Sequence, residues 1–183
     1  MTLPTMLTLA RVIAIPFLVA IYFWAGKWAG EVAAAIFIAA AITDWLDGYL
    51  ARKLDQSSAF GAFLDPVADK LIVAAALVLA AHHYQNIVIS VCAVVIIGRE
   101  ITISALREWM AELGARGVVA VSWWGKWKTT AQMIALPCLL WEQDLFGLPT
   151  RQIGEITLVI ATVLTLISMT NYLKAAYLTV DNT

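Results

Sequence analysis

Six apolar stretches, each of about twenty residues, constrain this chain more than any other feature it has. They cover residues 6–24, 32–51, 63–81, 87–106, 124–141 and 153–172, with short polar or Gly/Pro-containing breaks between them. About 20 apolar residues in a helix span the hydrocarbon core of a bilayer, so the pattern predicts six transmembrane helices. Composition agrees: of 183 residues, 62% are hydrophobic and only 14% charged, against about 25% charged in a soluble domain. Mean hydropathy is +0.82. A soluble fold of this size has too little interior to hide so much apolar surface. The expected fold class is an all-α integral membrane bundle. No linker, low-complexity tract or internal repeat divides the chain, so residues 1–183 read as one domain.

A net charge of −1 speaks against nucleic acid as a partner, which would call for a basic surface. The first apolar run follows no basic segment and precedes no small-residue cleavage site, so a cleaved signal peptide is not expected. Cys92 and Cys138 lie inside apolar runs without metal-ligand spacing and read as small core residues. Basic residues set the orientation. Arg52, Lys53, Arg107, Arg116 and Lys174 fall on the side shared by both termini, whereas only Lys27 and Arg151 flank spans on the other. Both termini are therefore expected in the cytoplasm. His82 and His83 then occupy a short outer turn, and Gly26 and Gly30 a loop. Tryptophans 24, 28, 109, 123, 124 and 141 cluster at span ends and read as interfacial anchors.

The acids carry the chemistry. Asp44 and Asp47 lie near the cytoplasmic end of the second stretch, and Asp65 and Asp69 near the cytoplasmic start of the third. Spacings of i, i+3 and i, i+4 put each pair on one helical face. The short connection makes the two helices antiparallel neighbours, so four carboxylates converge at the membrane–water boundary. Unaided, four such charges repel strongly in a low dielectric. Oxygen-only ligation suits a hard cation, Mg²⁺ or Mn²⁺, and two such ions would balance the acids and clamp a diphosphate. The alternative is simple ion pairing with Arg52, Lys53 and Lys70. Gly48, Ala51 and Gly61 would allow close approach of a phosphate or nucleotide, and Arg52 offers a fixed guanidinium fork.

Asp44, Asp47, Gly48, Ala51, Arg52, Gly61, Asp65 and Asp69 match D-x2-D-G-x2-A-R-x8-G-x3-D-x3-D at every fixed position. The pattern resembles the signature of the CDP-alcohol phosphotransferase family. That resemblance implies six membrane helices with the site at the cytoplasmic end, a dinuclear metal centre on the four aspartates, and a CDP-linked lipid donor. The donor contacts it implies are Asp44, Gly48, Ala51, Arg52 and Gly61, and the proposed base is Asp69. It also implies a homodimer in the bacterial inner membrane.

The fourth and fifth stretches bear on the acceptor. Arg99 lies about 18 Å of helix into its span at 1.5 Å per residue, and Arg107, eight residues on, shares its face. Lys126 and Lys128 open the fifth stretch at the same level. These four cations suit an anionic acceptor, although ordinary ion pairing near Glu100 is the plainer alternative. The run 99–114 and the segment 121–132 resemble family members that join CDP-diacylglycerol to glycerol 3-phosphate, giving phosphatidylglycerophosphate and CMP. The opening segment 3–11 is similar to theirs too, with Thr5 where many relatives have Asn; Thr8 and Arg11 are candidate substrate contacts. A phosphatidylglycerol acceptor, as in a cardiolipin synthase, fits these cations less well. A small cation transporter would place acids at mid-membrane in several spans.

Overall fold

The computed structural model describes residues 3–54, 59–115, 123–145 and 147–180, with the backbone alone for residues 3, 4, 45, 47–54, 59, 62 and 180. The side chains of Asp47, Ala51, Arg52 and Lys53, the surroundings of Gly48, and all of Arg116 therefore lie outside the described residues. Six α-helices are described: α1 (Leu3–Trp24), α2 (Ala29–Leu54), α3 (Ala59–Tyr84), α4 (Ile87–Glu112), α5 (Trp123–Trp141) and α6 (Thr150–Val180). A 3-10 turn at Gly26–Trp28 precedes α2. Among the described residues there is no strand, only an isolated bridge between Leu145 and Leu148 in the α5–α6 connection.

Several helices outrun the apolar stretches; α4 continues to Glu112 and α6 to Val180. A helix satisfies its own backbone hydrogen bonds, so it crosses the headgroup layer without needing apolar side chains there. Its ends are set by local chemistry instead. Asn86 caps α4 by accepting from the Val88 amide at 2.8 Å, and Gly147, at φ +78°, closes the turn before α6. His82 and His83 belong to the last turn of α3 rather than to a loop. Gly30 likewise is helical: it is the second residue of α2.

Side-chain patterning differs from that of a soluble bundle. Along α4, Ile89, Cys92, Ile96, Ile103 and Met110 face inward, yet Val91, Val94 and Ile101 face outward. Up to Gly98 the helix is almost wholly apolar all round, and its one deeply buried charge, Arg99, sits on the inner face. Four helical segments are long and apolar enough to cross a membrane: Thr5–Trp24, Gly26–Asp44, Ile87–Glu112 and Thr150–Thr179. Helices α3 and α5 are outside that set. Both carry charges near their starts, Asp65, Asp69 and Lys70 in α3 and Lys126 and Lys128 in α5.

Leu18, Phe37, Leu77, Ile89, Leu136, Leu139 and Leu158 join all six described helices into the main core. Close helix approach depends on glycine. A Cβ on Gly30 would stand 2.6 Å from the Leu140 carbonyl oxygen, and one on Gly154 would stand 2.8 Å from Leu139 Cγ. Helices α2 and α6 thus both press onto α5. Polar contacts separate the two ends of the bundle. At one end Tyr22 donates to Glu142 (2.8 Å), His83 lies 3.2 Å from the same carboxylate, and Gln143 donates to Glu31 (2.7 Å). The opposite end holds Arg11, Asp44, Asp65, Arg99 and Lys128.

Candidate active site

The acids and the cations of this site come from five helices, α1 to α5, and α6 adds a hydroxyl and an aromatic ring. Arg11, on the inner face of α1, is 3% exposed. Its Nη1 donates to Asp44 Oδ1 at 2.7 Å and to Asp65 Oδ1 at 3.1 Å. A guanidinium remains charged even when buried, so one nitrogen holds two half-exposed carboxylates from α2 and α3 on either side of it. The pairing alternative named Arg52, Lys53 and Lys70 as partners for the acids. The partner among the described residues is Arg11, which spacing along α2 and α3 has no means of revealing; the side chains of Arg52 and Lys53 lie outside them. Thr8, one turn before Arg11, is buried on the same face of α1.

The donor chemistry of this cluster is carboxylate oxygen, with no cysteine or histidine near it, and that set fits a hard divalent ion rather than zinc. Among the described residues no group of three potential ligands is close enough to form a metal site. Asp47, a turn beyond Asp44 on α2, is the motif carboxylate whose side chain lies outside the description.

Next to the acids lies a cavity of about 290 Å³, walled by α3, α4, α5 and α6. Four cations, Lys70, Arg99, Arg107 and Lys128, and two acids, Asp69 and Glu100, line it. Arg99 and Lys128 are the buried floor, 7% and 5% exposed. Glu100 pairs with both, with Arg99 at 3.3 Å and with Lys128. Local pairing near Glu100 therefore exists, but one carboxylate faces two cations. Arg107, about 12 Å further along α4, is exposed at the rim. The structure thus brings three of the four sequence-nominated cations to one cavity. Lys126 is exposed and is not among the lining residues. It stands two residues from Lys128, about 200° around the helix, so the two amines point to opposite sides of α5.

Helix α6 contributes residues that sequence reasoning passed over. Ser168, fully buried, accepts from Arg99 Nη2 at 2.8 Å. Tyr172, one turn on, presents its ring to both arginines, with Arg99 Cζ and Arg107 Cζ each 5.6 Å from the ring centre. Cation–π contact and a hydrogen bond together fix the two guanidinium groups. The i, i+4 spacing of Ser168 and Tyr172 gave little signal, because Thr165, Thr170 and Asn171 stand beside them in the same stretch. On α3, Lys70 donates to Ser104 of α4.

Asp69 is the junction, since it belongs to the carboxylate motif and also lines the cationic cavity. An apolar groove of about 270 Å³ between α2 and α5, lined by Phe37, Ile38, Ala41, Ile42, Met133 and Pro137, ends two residues before Asp44. Met133 lines both spaces. A charged centre for phosphates, a cationic cavity and an apolar groove are therefore adjacent.

Comparison with known proteins gives the family. The profile for CDP-alcohol phosphatidyltransferase matches residues 1–167. A protein of Salmonella choleraesuis (strain SC-B67) is 56% identical over 174 residues, covering 95% of this chain and 94% of its own length. Proteins of Shigella flexneri and Escherichia coli (strain K12) are 55% identical over the same spans. All three bear the name CDP-diacylglycerol–glycerol-3-phosphate 3-phosphatidyltransferase. On a match across most of its length, and with the eight-residue motif intact, this chain belongs to the CDP-alcohol phosphatidyltransferase family.

Proposed function

We propose that the protein transfers the phosphatidyl group of CDP-diacylglycerol to glycerol 3-phosphate, giving phosphatidylglycerophosphate and CMP. The observation that carries this reading is the position of Asp69 in the wall of the cationic cavity, where a motif carboxylate meets a pocket suited to an anionic acceptor. The names of relatives 55–56% identical support the same pair of substrates.

Asp44, Asp47, Asp65 and Asp69 would hold two divalent cations, Mg²⁺ or Mn²⁺, which when bound neutralise charge on the donor diphosphate. Arg11 fixes the separation of Asp44 and Asp65 by pairing with both. Gly48, Ala51 and Gly61 leave room for the donor's cytidine and phosphates, and Arg52 binds a phosphate oxygen. Arg99, Arg107 and Lys128 hold the acceptor phosphate, with Tyr172 and Ser168 steadying the arginines. Asp69 then takes the proton from the terminal hydroxyl of glycerol 3-phosphate as that oxygen bonds to the phosphorus bearing diacylglycerol. The bond from that phosphorus to the CMP oxygen breaks, and CMP leaves. The acyl chains run along the apolar groove between α2 and α5. All six helices cross the inner membrane in this reading, and the site faces the cytoplasm on the Lys/Arg-rich side. The assembly is a homodimer, as the family resemblance suggests.

The test is an assay of purified protein with CDP-diacylglycerol, offering glycerol 3-phosphate, phosphatidylglycerol, inositol phosphate and serine in parallel. Release of CMP with glycerol 3-phosphate alone is the expected result. Preference for any other acceptor overturns the assignment.

A further inference from the structure

Gln132 is a hydrogen-bonding group in the cavity wall that the mechanism above leaves unused. It lies one turn beyond Lys128 on α5, lines the cavity, and is 3% exposed. Its Nε2 is shut off from solvent and has no hydrogen-bond partner among the described residues. A carboxamide carries two N–H donors, and a buried donor left unpaired is destabilising, so its presence in a cavity wall points to a ligand atom that accepts from it. Thr129, whose hydroxyl donates to the Gly125 carbonyl, and Tyr172, whose ring faces the arginines, also line the cavity; its remaining donors are cations matched to phosphate: Arg99, Arg107, Lys70 and Lys128. A neutral amide adds little to phosphate binding beside those charges, but it suits a neutral hydroxyl.

This inference rests on the acceptor assignment. Glycerol 3-phosphate carries two hydroxyls, and the mechanism uses only the terminal one, at Asp69. We propose that Gln132 hydrogen-bonds the secondary hydroxyl at C2, making it a specificity-determining residue that selects a glycerol phosphate over acceptors lacking that group. Helices α3 and α5, which carry Asp69 and Gln132, both line the cavity, so the two hydroxyls of one acceptor are read from separate walls.

The experiment compares kcat/KM for glycerol 3-phosphate and for 3-hydroxypropyl phosphate, which lacks only the C2 hydroxyl, at saturating CDP-diacylglycerol. It uses wild type, Gln132→Met and Gln132→Leu. A site that hydrogen-bonds a substrate hydroxyl rejects the analogue without it, so wild type should favour glycerol 3-phosphate by about ten- to a hundredfold. In both variants the preference should collapse to within about threefold, with KM for CDP-diacylglycerol little changed. Each ratio is taken within one preparation and does not depend on the folded fraction. The wild-type ratio needs no variant at all. A wild-type preference below about threefold, or a variant that keeps the wild-type ratio, overturns the role of Gln132. Product from another alcohol but from neither phosphate substrate overturns the acceptor assignment itself, and this inference with it.

Discussion

Asp69 is where the carboxylate motif and the cationic cavity share a residue, and its replacement isolates the proton transfer. Asp69→Asn should lower kcat by about 10²–10⁴-fold, the usual cost of losing a general base, while binding of CDP-diacylglycerol is largely kept. A variant holding more than half the wild-type rate would place the base elsewhere. The two sides of the site should separate in the same assay. Arg107→Gln removes a charge-assisted hydrogen bond worth about 1.5–3 kcal/mol. It should raise KM for glycerol 3-phosphate about ten- to a hundredfold and leave CDP-diacylglycerol nearly unaffected. Arg52→Gln, in the donor motif, should show the opposite bias. Equal effects on both substrates from both variants would mean the division is wrong. Tyr172 acts through the arginines it faces. Tyr172→Leu should raise KM for glycerol 3-phosphate several-fold, on a cation–π contribution of about 0.5–2 kcal/mol, and Tyr172→Phe, which keeps the ring, should behave as wild type. If Phe and Leu are equally impaired, the hydroxyl rather than the ring matters. Of these residues, Asp69 and Arg107 were nominated from spacing, the role of Asp69 as base came only from the family resemblance, and the side chain of Arg52 lies outside the described residues. Tyr172 was not, because an aromatic near the end of an apolar stretch reads equally well as an interfacial anchor until its neighbours are known.

Between elements, packing sets how near the charged groups stand. Helix α5 lies against α2 at Gly30 and against α6 at Gly154, and both contacts leave no space for a Cβ. At Gly30 the obstacle is a backbone oxygen, 2.6 Å from where the Cβ would be, so a helix must shift. Gly30→Ala should therefore destabilise the protein by about 1–3 kcal/mol, read as a lower melting temperature in detergent. An unchanged melting temperature would show that the α2–α5 contact is looser than described. The sequence alone suggested a loop glycine at that position. The helix periodicity of α2 starts too close to Gly30 for its face to be read, and the obstructing carbonyl comes from a helix more than a hundred residues away.

At the scale of the whole molecule, charge gathers at both ends of an apolar bundle, and at one of them acids and cations face each other across Asp69. Arg11 offsets only part of the charge of the four motif aspartates. The proposed diphosphate chemistry brings further negative charge to the same place. Turnover should therefore depend strictly on a divalent metal. Excess EDTA should abolish CMP release, and either Mg²⁺ or Mn²⁺ should restore it. Full activity in EDTA would remove the metals from the mechanism and leave Arg11 and Arg52 as the cations at the diphosphate.

By itself the sequence determined the helical, strongly apolar class of the chain, the spacing of its four aspartates, and the presence of cations on the fourth and fifth stretches. Each of these follows from composition or from periodicity within one helix, which local geometry makes readable. Tertiary structure decided the rest. It set Arg11 of α1 between Asp44 and Asp65, gave Glu100 to both Arg99 and Lys128, turned Lys126 out of the cavity, and laid Tyr172 against two arginines. Periodicity says which face of a helix a residue occupies, but the partner across that face is chosen by how separate helices pack, and packing is a property of the whole bundle.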